Sequence, residues 1–224
     1  FSCPPPPRSI HTNDRRQRQM FIRDSINSYK SNTSFFKENN IPSDKPVVAF
    51  LPGSRIQEIK TMLPIFLSII SNYPNYNFII AGVNNVNPKL YDLGSHPNLF
   101  IVYNKTYDLL TNSFAAIVTS GTASLECSLF KVPQIVCYKT SFLSFFVGKL
   151  FVKIRHISLV NIILEKDIIK ELIQDDLNKQ NLIYEFNKLC KEEKRLKIIQ
   201  EYSKICDLLS VKDTTKKIAS SIFS

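Results

Sequence analysis

An α/β fold, with a doubly wound, Rossmann-like parallel sheet flanked by helices, is predicted by two features of the sequence. From residue 46 onward, short continuous apolar runs alternate with stretches of helical spacing. That is the pattern of strands buried on both faces, with helices between them. Two of the runs, Val47–Leu51 and Ala115–Thr119, stop at small-residue turns: Pro52-Gly53-Ser54-Arg55 after the first and Ser120-Gly121-Thr122 after the second. Strand, small-residue turn and helix together form the arrangement that holds phosphate at a helix N-terminus.

Taken in order, residues 1–20 form a basic, proline-rich tail: Pro4 to Pro7, then Arg8, Arg15, Arg16 and Arg18, without apolar periodicity. Its composition is that of a flexible polyproline-like segment. Residues 21–45, with Phe21, Ile22, Ile26, Tyr29, Phe35 and Phe36, read as lead-in helices, and 46–224 as the folded domain with helices at its end. Strands are expected at 47–51, 77–81, 99–103, 115–119, 134–138 and 157–160. Met62, Leu63, Phe66, Ile69 and Ile70 recur at helical spacing, with Pro64 expected in a first turn because proline lacks the N–H that later turns need. Tyr107 to Phe114 suggests a short helix, and Ala123 to Phe130 a helix stopped by Pro133. Asp167–Gln174 reads as a short amphipathic helix, and Asn181–Leu209 as two helices broken near Lys191. Asp213 is a suitable N-cap for a last helix.

The chain carries 29 Lys and Arg against 19 Asp and Glu, a net charge of +10, so anionic partners are expected. No ribonucleoprotein motif, zinc finger or Gly/Arg tract is present, and nucleic acid is not expected as a partner. Five widely spaced cysteines without a C-x-x-C pair argue for free thiols and a reducing, cytoplasmic compartment. His11, His96 and His156 have no metal-ligand spacing, so no metal and no cofactor is expected. Residues 142–153 combine Phe142, Leu143, Phe145, Phe146, Leu150 and Phe151 with Lys149 and Lys153. The stretch is shorter than the roughly twenty apolar residues that span a bilayer. It fits either a helix lying on an anionic membrane surface or a core helix of the sheet's outer layer.

The two turns carry the chemistry. Arg55 offers a planar fork of donors to a phosphate, with Ser54 beside it. Ser120-Gly121-Thr122 can present backbone N–H groups and two hydroxyls to a diphosphate, and Gly121 lets the backbone approach closely. Glu126, one turn further on, can accept hydrogen bonds from ribose hydroxyls. Ser54 and Arg55 are otherwise ordinary surface residues, Ser120 and Thr122 ordinary caps, and Glu126 ordinary compensation of the helix dipole. Asn161 could supply an amide to a ligand, with Glu171 and Gln174 on one helical face.

These residues belong to ordered motifs: L-P-G-S-R-x-x-E-I at 51–59, S-G-T-A-x-L-E at 120–126, Y-K at 138–139, F-V-K at 151–153, I-S-L-x-N at 157–161 and K-E-L-I-Q at 170–174. Over roughly 40–210 the chain resembles lipid-A-disaccharide synthase, an inverting glycosyltransferase, in the donor-binding half of its GT-B fold. The resemblance implies a peripheral inner-membrane enzyme of Gram-negative bacteria, facing the cytoplasm and acting in lipid A biosynthesis. It would join UDP-2,3-diacylglucosamine to 2,3-diacylglucosamine 1-phosphate, releasing UDP. It places the diphosphate at Ser54, Arg55, Ser120, Gly121 and Thr122, the ribose at Glu126, and Asn161, Glu171 and Gln174 on the donor side of the cleft. The family has Pro where this chain has Val160, which implies a less rigid loop before Asn161.

The same resemblance puts the general base and the acceptor site in an N-terminal half that this sequence does not contain, so no catalytic residue is assigned here. A fragment, a partner chain carrying the other half, or a decayed gene would each account for that. The competing readings are a different nucleotide-sugar enzyme, such as a 2-epimerase, and a non-catalytic nucleotide-sugar-binding module.

Overall fold

A six-stranded, wholly parallel sheet forms the centre of the structure, a computed structural model that describes residues 26, 29–30, 32–91, 94, 96–139 and 156–210. The strands are β1 Val47–Leu51, β2 Asn77–Gly82, β3 Leu99–Tyr103, β4 Ala115–Thr119, β5 Gln134–Tyr138 and β6 Lys170–Ile173. Their spatial order is β3-β2-β1-β4-β5-β6, so the winding reverses between β1 and β4. Every residue of β1, β2 and β4 is buried, as continuous apolar runs require of central strands. Edge strands β3 and β6 are only partly covered.

Helix α1, Phe35–Glu38, lies in the lead-in region and buries Phe35. Helix α2, Ile56–Leu67, buries Ile59, Met62, Leu63, Phe66 and Leu67 on one face. Pro64 lies inside α2 and not in a first turn. It is exposed, on the side of α2 away from the buried face, so the N–H it lacks costs no bond in the core. Helices α3, Thr106–Thr111, and α4, Thr122–Leu129, follow β3 and β4.

The sixth strand is displaced from its expected place. Residues 157–160 are not a strand: Ser158 caps helix α5, Leu159–Leu164, accepting the Asn161 N–H on its hydroxyl at 3.2 Å. Instead, β6 is drawn from the stretch expected to be helical, so Glu171 and Gln174 do not share a helical face. The spacing of Ile168, Ile169 and Leu172 is helical, yet Cys137 and Leu172 pair in parallel register at the sheet's open side. Sheet pairing outweighs local periodicity in so short a run.

Helices α6, Lys179–Leu189, and α7, Glu192–Ser210, are broken at the expected place. Asn178 caps α6 by accepting the Asn181 N–H at 2.9 Å. Helix α7 packs on α4 and α5 and buries Ile198, Tyr202 and Ile205. The fully buried Gln134 donates its amide both to the Ser124 carbonyl of α4 and to the Tyr202 hydroxyl of α7, at 2.8 and 3.1 Å. Cys127 and Cys137 are buried free thiols whose pKa values burial pushes up. The tail 1–20, the aromatic stretch 142–153 and the helix expected from Asp213 lie outside the described residues.

Candidate functional site

Because β1 and β4 are neighbours in register, with Leu51 opposite Val118, the turns that follow them open side by side at the carboxyl edge of the sheet. This is the reversal point where open α/β sheets form their ligand crevice.

The first turn is closed by Glu58, the glutamate of the 51–59 motif, which is given no role from the sequence although it stands at capping-box spacing from Arg55. Its Oε2 accepts the N–H groups of Ser54 and Arg55 at 3.1 and 3.3 Å. Gly53 makes that closure possible. Its φ is +103°, and a Cβ there would lie 2.3 Å from Glu58 Oε2, so both backbone strain and collision exclude a side chain. The Ser54 and Arg55 backbone donors are thus spent within the turn, leaving the Ser54 hydroxyl and the Arg55 guanidinium to meet a ligand. The Arg55 side chain is 82% exposed and only 3.7 Å from the Glu58 carboxylate, a weak surface pair that a phosphate can displace.

The second turn is open. Among the described residues, no acceptor takes the N–H groups of Gly121, Thr122 or Ala123. Gly121 has φ +154°, and no atom lies within 4 Å of a Cβ placed on it. Three successive free N–H groups at the start of α4 are donors of the kind that can meet an anion. Ser120 differs from its neighbours, because its N–H donates to Cys137 O at 2.9 Å and its hydroxyl to Ile157 O at 3.0 Å. It anchors the turn.

Glu126 is half-buried on α4, and burial raises its pKa above the ordinary carboxylate value. Among the described residues nothing donates a hydrogen bond to its carboxylate. A desolvated acceptor without donors is suited to a pair of ligand hydroxyls.

Folding brings Ser120, Asn161 and Glu171 into one hydrogen-bonded set. Glu171 accepts the N–H groups of Ile157 and Ser158 at 2.8 and 3.1 Å, the Ser158 hydroxyl at 2.7 Å and the Asn161 amide at 2.9 Å. Asn161 is 1% exposed. Its amide also donates to Ile169 O, and its Oδ1 accepts the N–H groups of Ile168 and Ile169, at 2.9, 2.9 and 3.1 Å. Two donors and two acceptors are its full capacity. Asn161 therefore sits in a rigid helix start, not on a loop loosened by Val160, which is itself fully buried. The Ile157 and Ser158 contacts had only one signal in the sequence, a serine before an apolar run. Gln174 follows β6 on the same edge of the sheet, with φ +52°.

A cleft of about 750 Å³ runs along edge strand β6, lined by Glu171 and by a mix of lysines and acids that includes Lys170, Glu185, Lys188, Lys191 and Glu193. Arg55 and Glu126 do not line it. Among the described residues, no group of three or more His, Cys, Asp or Glu side chains could hold a metal ion. None of the described helices is long and apolar enough to cross a membrane.

Solved structures share this architecture. The calicheamicin glycosyltransferase CalG4 is similar over 79% of this chain and 42% of its own, at TM-score 0.56 and 14% identity. WaaG, a glycosyltransferase involved in lipopolysaccharide biosynthesis, is similar over 84% and 50%, at TM-score 0.53 and 14% identity. A putative UDP-N-acetylglucosamine 2-epimerase from Listeria monocytogenes is similar over 80% and 46%, at TM-score 0.53 and 18% identity. Sheet order and likeness define the class, one Rossmann-like half of the GT-B architecture.

Within that class, the lipid-A-disaccharide synthetase family matches residues 21–222. The lipid-A-disaccharide synthase of Sulfurihydrogenibium sp. (strain YO3AOP1) is 34% identical over 174 residues, covering 70% of this chain and 45% of the relative. That of Francisella philomiragia is 33% identical over 187 residues, covering 77% and 48%. This chain belongs to the lipid-A-disaccharide synthase family. It spans about half the length of the curated relatives it matches.

Proposed function

We propose that this chain is the donor-binding half of a lipid-A-disaccharide synthase, holding UDP-2,3-diacylglucosamine while its sugar is transferred to 2,3-diacylglucosamine 1-phosphate. One observation carries the reading: an exposed arginine and three free backbone donors open side by side at the sheet's reversal point, with an unpartnered carboxylate one turn further along. The Ser54 hydroxyl, Arg55, Gly121 and Thr122 take the diphosphate, and Glu126 the ribose hydroxyls. Ser120, Asn161 and Glu171 hold the walls of the donor side in place, and Gln174 borders it. As UDP departs, the start of α4 and Arg55 stabilise the charge developing on it. The general base and acceptor site belong to the family's other half, on the same chain or a separate one.

The test is UDP titration of the 224-residue chain beside an assay for disaccharide formation. The expected result is UDP binding without turnover. Failure to bind UDP at millimolar concentration would refute the donor site, and disaccharide formation by this chain alone would refute the division of labour. The alternative is a nucleotide-sugar-binding module without catalytic role. It predicts that adding a relative's N-terminal half restores nothing.

Because both substrates carry acyl chains, the aromatic and lysine-rich residues 142–153 are assigned to the anionic inner-membrane surface. Each lysine near such a surface contributes on the order of 1 kcal/mol, so binding should weaken with salt. Replacing Phe145 and Phe146 by serine should abolish sedimentation with anionic liposomes while circular dichroism and melting stay unchanged. An unfolded double mutant would instead mark the stretch as core, and a folded one that still sediments would eliminate the membrane role.

A further inference from the structure

Helix α4 leads away from the diphosphate turn, and its partly exposed side has a definite sequence. Thr122, Glu126 and Phe130 follow at intervals of four, on one face and about 6 Å apart along the axis. A nucleoside diphosphate has its parts in the same succession: diphosphate, ribose, base. If Thr122 marks the diphosphate and Glu126 the ribose, the base arrives beside Phe130.

There the fold assembles an aromatic cluster from three distant segments. The Tyr107 ring of α3 lies 5.1 Å from that of Phe130 and 5.6 Å from that of Tyr29. Tyr29 stands edge-on to Phe130 at 5.9 Å. Tyr29 is pinned by the hydrogen bond its hydroxyl donates to Asp108, a carboxylate that also accepts the Asn32 N–H at 3.3 Å. All three rings remain partly exposed. Among the described residues, the Tyr107 hydroxyl has no hydrogen-bond partner. Glu126 lies close enough for its charge to add to the effect of burial in raising the Tyr107 pKa.

We propose that Tyr107, held by Phe130 and Tyr29, is the platform on which the nucleobase of the donor stacks. Every base has a π face, so such a platform adds affinity without reading the base edge. The inference rests on Glu126 holding the ribose, as read above, and adds a residue that no motif in the sequence pointed to.

The test compares UDP with ribose 5-diphosphate, which lacks the base, on the 224-residue chain and on Tyr107→Ala and Tyr107→Phe. Tyr107→Ala should weaken UDP about ten-fold or more and leave ribose 5-diphosphate unchanged, while Tyr107→Phe retains UDP affinity. Unchanged UDP binding by a folded Tyr107→Ala chain overturns the platform but leaves the ribose reading intact. Equal weakening of both ligands also overturns it, since Tyr107 would then be supporting Glu126. A parent chain that binds ribose 5-diphosphate as tightly as UDP shows that the base gains nothing from the site. If the parent chain binds neither ligand, the donor reading itself fails.

Discussion

Changing Glu126 to glutamine should weaken UDP binding by about ten- to a hundred-fold, the value of a charged hydrogen bond of roughly 1.5–3 kcal/mol. Pyrophosphate, which has no ribose, should bind as it does to the parent chain. The contrast separates a ligand role from compensation of the helix dipole, which would weaken both ligands equally. Stability should move the other way. Burial raises the folded-state pKa of Glu126, so this group's contribution to stability is fully present below the ordinary carboxylate pKa and is lost as pH rises through the raised value. Glutamine has no charge to desolvate, so the variant should melt no lower than the parent at neutral pH. UDP binding by the parent should fall as pH drops through that raised value, and in the variant this step should vanish. Calorimetric titrations across the acid range check both. A variant that loses pyrophosphate equally, or melts early, would show that Glu126 serves the fold.

Replacing Glu171 with alanine should have the larger effect on stability. Its carboxylate accepts two backbone N–H groups and the side chains of Ser158 and Asn161. Each buried donor left without an acceptor costs about 1–3 kcal/mol, so the total should reach roughly 3 kcal/mol or more. In a domain of this size that lowers the melting temperature by roughly 6–12 °C. Glu171→Gln should fall between, since one acceptor oxygen survives beside an amide that faces donors. Because Ser120 is tied to the Ile157 carbonyl, UDP affinity should also drop at temperatures where the alanine variant is still folded. Thermal melts and UDP titration measure the two effects. A melting temperature within about 1 °C of the parent would mean that the set is dispensable.

Five strands stood where their apolar runs predicted, because β1 to β5 are continuous runs bounded by turn residues. Only the sixth was misplaced. Ile157 to Val160 is as apolar as a strand, but Ser158 caps a helix there, and Lys170 to Ile173 becomes a strand only because β5 offers it an open side. Local pattern holds no information about a free sheet edge.

The same division runs through the site. Arg55, Gly121 and Glu126 could be named as candidates from sequence because phosphate and ribose sites in general use few residue types at short spacing. The use of Ser120, Asn161 and Glu171 as internal ties was not legible, since their partners lie beyond the reach of local spacing, 7 to 14 residues away for Asn161 and Glu171 and 37 for the Ser120 hydroxyl. A buried asparagine with every valence occupied looks, in sequence, the same as one presenting its amide to a ligand. Tyr107 gave no signal, because its neighbours Tyr29 and Phe130 are assembled only by the fold.

The pairing of β1 with β4 also bears on how the molecule comes into being. Val48 is flanked by Phe78 on one side and by Ala115, far along the chain, on the other. During synthesis, β1 and β2 can join while the other side of β1 still waits for its partner. Closing that long loop is an entropic barrier paid before any contact rewards it. The crevice is therefore a late product of folding, and until β4 docks the nascent chain presents an unpaired apolar strand edge to the cell's chaperones.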